Sequence, residues 1–230
     1  MALNNCLLMV SERVFFKTHK LKAFTLAEVL ITLVIIGVIA AMTIPTLMNK
    51  TDNHEYVSKL KKAYSVMSAA TNSLIAEQGS PNASLGGWSS STESLLNAYK
   101  SKLAHTDECI GSSCIGSYKT LTNANKSLSS VNPSKLVLND GTFIYFYMYD
   151  NNLTCSRSSN GTNNYCGGVM IDINGEKKPN KIGRDLFYFA IKENGLFPFG
   201  CDSDGYCNGP NSTVGYGCSC KVIRENAMNY

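Results

Sequence analysis

Residues 24–48, FTLAEVLITLVIIGVIAAMTIPTLM, form an apolar run of 25 residues with one charged side chain, Glu28. Nothing else in the chain constrains the fold as strongly. At 1.5 Å per residue a helix of this length extends about 38 Å, enough to cross a hydrocarbon core of about 30 Å. The run is longer than the apolar region of an ordinary signal peptide, and no small-residue A-x-A site follows it. Lys17, Lys20 and Lys22 precede it. The positive-inside rule therefore places that end in the cytoplasm and the rest of the chain outside. An ionised group inside such a helix is costly unless it is paired, so Glu28 calls for a reason.

The cysteines agree with this topology. The chain has nine. Cys6 precedes the apolar run, and the other eight (Cys109, Cys114, Cys155, Cys166, Cys201, Cys207, Cys218 and Cys220) lie in the distal half. An even set confined to one region predicts a disulfide framework in an oxidising compartment. Zinc is the weaker reading, because no CxxC occurs and only His54 and His105 lie beyond residue 23. Cys109–Cys114 and Cys155–Cys166 are local candidates for bridges. Cys218 and Cys220 are set to pair with Cys201 and Cys207, in either order. The formal net charge of +4 hints at an acidic partner, but its distribution removes the hint. Arg13, Lys17, Lys20 and Lys22 against Glu12 alone precede Phe24, leaving 17 basic and 16 acidic residues in the remainder. No nucleic-acid partner is expected on this ground.

Four segments follow from the pattern. Residues 1–23 are a basic leader, within which Met9 is an alternative start to Met1. Residues 24–48 are a transmembrane helix, with Pro45 removing one hydrogen bond and kinking the axis. Residues 49–80 continue it: Tyr56, Leu60, Tyr64, Met67, Ala70 and Leu74 recur at helical spacing, and Gly79-Ser80-Pro81 is a stop. Residues 81–230 read as a β-rich globular domain. Within it Glu93–Leu103 is a short helix, 135–150 a hairpin about Asp140-Gly141, and 167–175 and 185–191 further strands. The stretch from Gly200 to Cys220 reads as an irregular, stapled loop. The expected fold class is α+β, a long N-terminal helix packed on a small, mostly antiparallel sheet with a disulfide-stapled C-terminal region.

The leader end Lys22-Ala23, then Phe24-Thr25-Leu26-Ala27-Glu28, then the apolar helix with Pro45, resembles the N-terminus of type IV pilins and type II secretion pseudopilins. "LKKAYS", residues 60–65, is similar to pilins as well. The resemblance implies cleavage between Ala23 and Phe24 by a prepilin peptidase on the cytoplasmic side. It also implies N-methylation of Phe24, and pairing of Glu28 with the terminal amine of a neighbouring subunit as helices bundle. Ala23 stands where the family usually has glycine. Implied partners are other pilin or pseudopilin subunits, the peptidase and an inner-membrane assembly platform. The implied location is the inner membrane, then the filament.

Other constellations are weaker. In "DINGEKKPNKIGRD", residues 172–185, the residues Asp172, Asn174 and Asp185 offer oxygens to a calcium ion, the one cofactor considered. The competing reading is a pair of tight turns, at Asn174-Gly175 and Pro179-Asn180. The stretch lacks EF-hand spacing and a full set of six to eight oxygens. "CDSDGYC", residues 201–207, raises the same question through Asp202 and Asp204. His105–Cys109 is the nearest thing to a nucleophile site, and no P-loop, GxSxG or dinucleotide fingerprint occurs, so no enzyme is expected. Asn82, Asn125, Asn152, Asn160 and Asn211 head sequons, read here as polar surface. Tyr145, Tyr147 and Tyr149 alternate along one strand, as packing residues first and a ligand face second. The functional expectation is a processed structural subunit of a pseudopilus or pilus. The alternative is a minor subunit whose disulfide-rich tip binds a surface, DNA or a secreted substrate, and third comes a membrane-anchored hydrolase.

Overall fold

The computed structural model describes residues 24–82, 87–129, 132–148, 154–203, 206–207 and 213–230, and of residues 45, 46 and 48–50 it describes the backbone only. The basic leader with Cys6, Met9 and Ala23 lies outside the described residues, as do Tyr149, Asn152, Asp204 and Asn211.

The first helix, α1, covers Leu26–Gln78 and runs through Pro45. Two units of chain meet between Leu47 and Met48. In the first unit, Leu26–Ile44 is apolar and long enough to cross a membrane, 19 residues or about 28 Å. None of this stretch is buried. Leu30, Ile31, Leu33, Val34, Ile36 and Ile39 each expose more than half of their surface. An apolar surface of that extent is stable only when lipid or another chain covers it.

The second unit takes in the rest of α1 and everything after it. Here the helix buries Val57, Leu60, Ala63, Met67, Ala70 and Leu74. That stripe is rotated slightly from the expected one. Tyr56 and Tyr64 sit at its rim, half-buried, because each phenol keeps access to water or a polar partner. Tyr64 stacks on Phe189 with ring centroids 5.3 Å apart and donates its hydroxyl to the Leu196 carbonyl at 3.2 Å. Gly79 ends the helix in the left-handed region, φ +80°, and its N–H reaches the Ile75 carbonyl.

A second helix, α2, spans Thr92–Lys100, with Ser91 capping it through the Ser94 amide. It stops before the expected Leu103 because the amides of Lys102 and Leu103 both turn back to the Tyr99 carbonyl. A third, α3, spans Cys218–Glu225, ends at left-handed Asn226 and buries Val222 in the helix-side core.

Among the described residues the strands are numbered in chain order. They are β1 (His105–Ile110), β2 (Tyr118–Lys119), β3 (Asn125–Lys126), β4 (Ser134–Leu138), β5 (Phe143–Tyr147), β6 (Arg157–Ser159), β7 (Thr162–Tyr165), β8 (Gly167–Asp172), β9 (Leu186–Lys192) and β10 (Gly195–Pro198). Six form one antiparallel sheet in the order β1-β4-β5-β8-β9-β10, while β2-β3 and β6-β7 are separate ribbons. At the β4–β5 turn Gly141 takes φ +82° and the Asp140 carboxylate accepts the Thr142 amide at 3.2 Å. Lys62 on α1 clamps the same carboxylate at 2.7 Å.

Period-two alternation sorts the central strands. Ile144, Phe146, Val169, Ile171, Phe187, Phe189 and Ile191 pack toward α1 and α2. Tyr145, Tyr147, Met170, Leu186, Tyr188 and Ala190 point to a second core with Tyr118, Leu128, Ile182 and Phe199. Tyr145 and Tyr147 are therefore packing residues. Tyr147 faces Gly168 across β5 and β8, and a Cβ at Gly168 would stand 2.1 Å from its ring. Gly168→Ala is expected to lower unfolding free energy by about 2–3 kcal/mol, as overpacking does, measured by denaturant unfolding of the full chain with its disulfides intact.

Candidate functional site

The start of α1 carries the sequence-predicted site. Phe24 is 84% exposed. Oε2 of Glu28 accepts the Thr25 amide at 2.9 Å and the Thr25 hydroxyl at 3.0 Å. The Glu28 amide in turn donates to Thr25 Oγ1 at 3.2 Å. This is a reciprocal capping box, with Thr25 at the N-cap and Glu28 three residues on. Four amides at a helix start lack intrahelical partners, and in an apolar medium each is costly to leave unmade. The box satisfies one of them and, with it, the amide of the capping residue. Glu28 therefore has a partner within its own chain, which the reading of an intermolecular pair did not include. The signal was present as Thr25-x-x-Glu28 ahead of an apolar run. Oε1 is not part of the box. The box lies one residue from Phe24, whose amine is the group that cleavage after Ala23 would create.

The distal candidates are organised as turns. Asp172 ends β8 with its side chain fully buried on the second core. Its Oδ1 accepts the amides of Asn174 (3.2 Å) and Gly175 (2.9 Å), and its Oδ2 accepts the Tyr118 hydroxyl at 2.5 Å. Asp185 is equally buried and accepts the amides of Asn180 and Lys181. All four carboxylate oxygens thus receive N–H or O–H donors from the turns and the ribbon they hold. Gly175 is held at φ +63°, where a Cβ would strike the Gly141 carbonyl. Asn180, also left-handed at φ 50°, passes its carbonyl to the Lys119 amide. Among the described residues no group of three His, Cys, Asp or Glu side chains is placed to hold a metal ion. Asp202 Oδ2 accepts the Asn163 amide at 2.8 Å and faces Lys192 at 3.4 Å.

Burial sets the electrostatics of this second core. It raises the Asp172 carboxyl to about 7, against hydrogen bonds that pull it down and with the Asp185 charge pushing it further up. Burial likewise raises Asp185, against the amides it accepts. Tyr145 is pushed up to about 12 by burial.

Four disulfides close the outer region: Cys109–Cys114, Cys155–Cys166, Cys201–Cys220 and Cys207–Cys218. The first commits Cys109, so the His105–Cys109 stretch of edge strand β1 holds no thiol nucleophile. The last two tie the glycine-rich segment to α3. Bridges of this kind contribute roughly 2–4 kcal/mol each.

With that geometry in place, residues 19–44 match the family described as the prokaryotic N-terminal methylation motif, the signature of pilin and pseudopilin precursors. The match covers the end of the leader and the apolar part of α1, including Ala23, Phe24 and Glu28. It implies assembly with other pilin-type subunits and handling by a prepilin peptidase, and with the apolar helix it fits membrane anchoring. No curated protein and no solved structure matches the chain.

A folded-state carboxyl raised above its unfolded value contributes stability that is complete below the unfolded value and is lost as pH rises through the folded one. For Asp172 that window runs from its ordinary 3.8 to about 7. Unfolding free energy is expected to fall, on the order of 2 kcal/mol, between pH 5 and pH 8 relative to Asp172→Asn, read from Tm differences across that range.

Proposed function

We propose that this chain is a prepilin-like structural subunit of a type II secretion pseudopilus or a type IV pilus, acting by assembly and not by catalysis. The observation that carries the reading is one juxtaposition. A methylation motif over residues 19–44 meets a helix start at Phe24, Thr25 and Glu28, in a mostly apolar span, Leu26–Ile44, of which none is buried. The leader keeps the basic end in the cytoplasm and α1 inserts. The peptidase cuts between Ala23 and Phe24 and methylates the new amine. Subunits then pack through their apolar helix surfaces, which removes the exposed side chains from water or lipid contact.

In this mechanism Glu28 does two jobs with one carboxylate. Oε2 belongs to the capping box, which ends the helix cleanly and fixes the side-chain rotamer. The remaining negative charge meets the Phe24 amine of the next subunit, and the pair cancels a cost that either ion would carry alone in an apolar bundle. A box that pre-sets the carboxylate lowers the ordering cost of that contact.

A second reading is a minor subunit with a binding tip. It is favoured by four disulfides placed around a loop-built outer face, since a subunit that only repeats along a shaft has less use for them. Copy number in purified filaments separates the two: a few copies per filament for a tip subunit, the majority for a shaft subunit.

Mass spectrometry of the chain from peptidase-competent cells should find an N-methylated Phe24 terminus; a chain still beginning at Met1 or Met9 would refute processing. Two variants separate the jobs of Glu28. Glu28→Gln keeps a residue able to close the box but removes the charge, and should insert in the membrane yet reduce filament incorporation at least about tenfold, the equivalent of about 1.4 kcal/mol. Thr25→Ala opens the box and keeps the charge, and should assemble with a much smaller defect. Equal defects in the two would sink the charge-pairing step.

A further inference from the structure

We propose that the cleft between the Lys181–Arg184 turn and the C-terminal segment binds a small organic oxyanion, a carboxylate or phosphate ester carried on a compact body. The cleft encloses about 350 Å³, room for a group of monosaccharide size. Lys181 and Arg184 form one wall, and Thr122, Thr213, Met228 and Tyr230 stand on the others.

The cationic wall is built before any ligand arrives. Asp185 holds the amides of Asn180 and Lys181. The amides of Arg184, Asp185 and Leu186 all return to the Lys181 carbonyl at 3.1–3.2 Å. Tyr230 donates its hydroxyl to the Gly183 carbonyl, which fixes the C-terminal segment against the turn. On the far side the Thr122 amide meets the Thr213 carbonyl at 3.4 Å. A site held this way loses little conformational freedom on binding.

Among the described residues no ion pair offsets its charge. Among the described residues neither Lys181 nor Arg184 lies within 4 Å of a carboxylate oxygen. The nearest acid in sequence, Asp185, spends both oxygens on backbone amides and is itself raised by burial. The Arg184 guanidinium carbon lies over the Tyr56 ring, 5.7 Å from its centroid. The guanidinium carries five N–H donors in a planar fork, the chemistry that grips a carboxylate or phosphate with two parallel bonds. Lys181 adds a point charge beside that fork. The threonine hydroxyls and the Met228 side chain supply mixed contacts for the body of the ligand, so a bare ion would leave half of the cleft unused. This inference does not depend on leader processing or filament assembly.

The test uses the full chain in a neutral detergent and isothermal titration with four probes: glucose 6-phosphate, glucuronate, inorganic phosphate and glucose. At least one of the two charged sugars should saturate the site with a Kd below about 10 mM and more tightly than phosphate, while glucose should not bind. Which of the two binds better tells phosphate from carboxylate as the head group. Arg184→Gln and Lys181→Gln should each weaken binding about tenfold or more, the scale of one charged hydrogen bond. Lys192→Gln, at a cation elsewhere that faces Asp202, should change nothing. The proposal is overturned if neither charged sugar saturates, if phosphate alone binds as tightly, or if the three variants behave alike. Should Arg184→Gln lose the wild-type Tm through its contact with Tyr56, Lys181→Gln decides the matter.

Discussion

A sheet that is apolar on both faces has to be covered twice, and this chain has helices for one side. α1 and α2 cover the face that carries Phe146, Val169, Ile171 and Phe189. The other face carries Tyr145, Tyr147, Met170 and Tyr188 and is roofed by the β2–β3 ribbon, the loop between β8 and β9, and the cysteine-rich segment. These roofing pieces are short in regular structure, so packing alone gives each of them little. Covalent and polar ties take over. Two disulfides pin the cysteine-rich segment to α3. Tyr118 anchors the ribbon on Asp172, and the Lys119–Ile182 backbone bond joins ribbon to loop. A buried carboxylate is expensive in such a place, and it persists because it gathers three donors that otherwise would be orphaned.

The amino-terminal part obeys a different solvent. Its side chains are apolar around the full circumference, as in a helix meant for lipid or for other helices. There the difficulty is the backbone at the helix start, where amides lack partners. Thr25 and Glu28 close that end with their own side chains. A neutral cap would do the same, so capping by itself does not account for a charge. The charge is what the assembly reading uses, which is why the glutamine variant discriminates and a simple deletion does not.

Much of this was legible from residues alone. The apolar run, the stop at Gly79, the Asp140-Gly141 hairpin and the strands on either side of 172–185 announce themselves through period and turn chemistry. Three things did not. α3 was hidden because Cys218 and Cys220 read as staple points and the segment has few strong helix formers; its helicity comes from burying Val222 and from the bridges at its first turn. The α1 stripe was right at Leu60, Met67, Ala70 and Leu74, while Tyr56 and Tyr64 pack at its rim, since a sequence pattern counts tyrosine as apolar and cannot see that its hydroxyl pulls it outward. The capping box was overlooked because Glu28 was considered as a charge in a membrane rather than as the third residue of a helix. In the candidate calcium stretch the residue types left ion and turn both open. The folded backbone shows the turns, with Asp172 and Asp185 each accepting amides of the same stretch.

One device recurs along the chain: a carboxylate accepts an amide two to five residues away, at Glu28, Asp140, Asp172 and Asp185. Its consequences depend on where the remaining charge points. Asp140 shares its charge with Lys62 and locks the hairpin to α1. Among the described residues no cation pairs with Asp172, and burial drives it toward the neutral form. Asp185 turns inward to the backbone and so presents Lys181 and Arg184 outward without cancelling them. Glu28 stands at the head of a helix whose surface demands company, with one oxygen committed and its charge unspent. The same local geometry thus closes a structural turn where the carboxylate is enclosed, and elsewhere leaves a charge facing away from the chain that positions it.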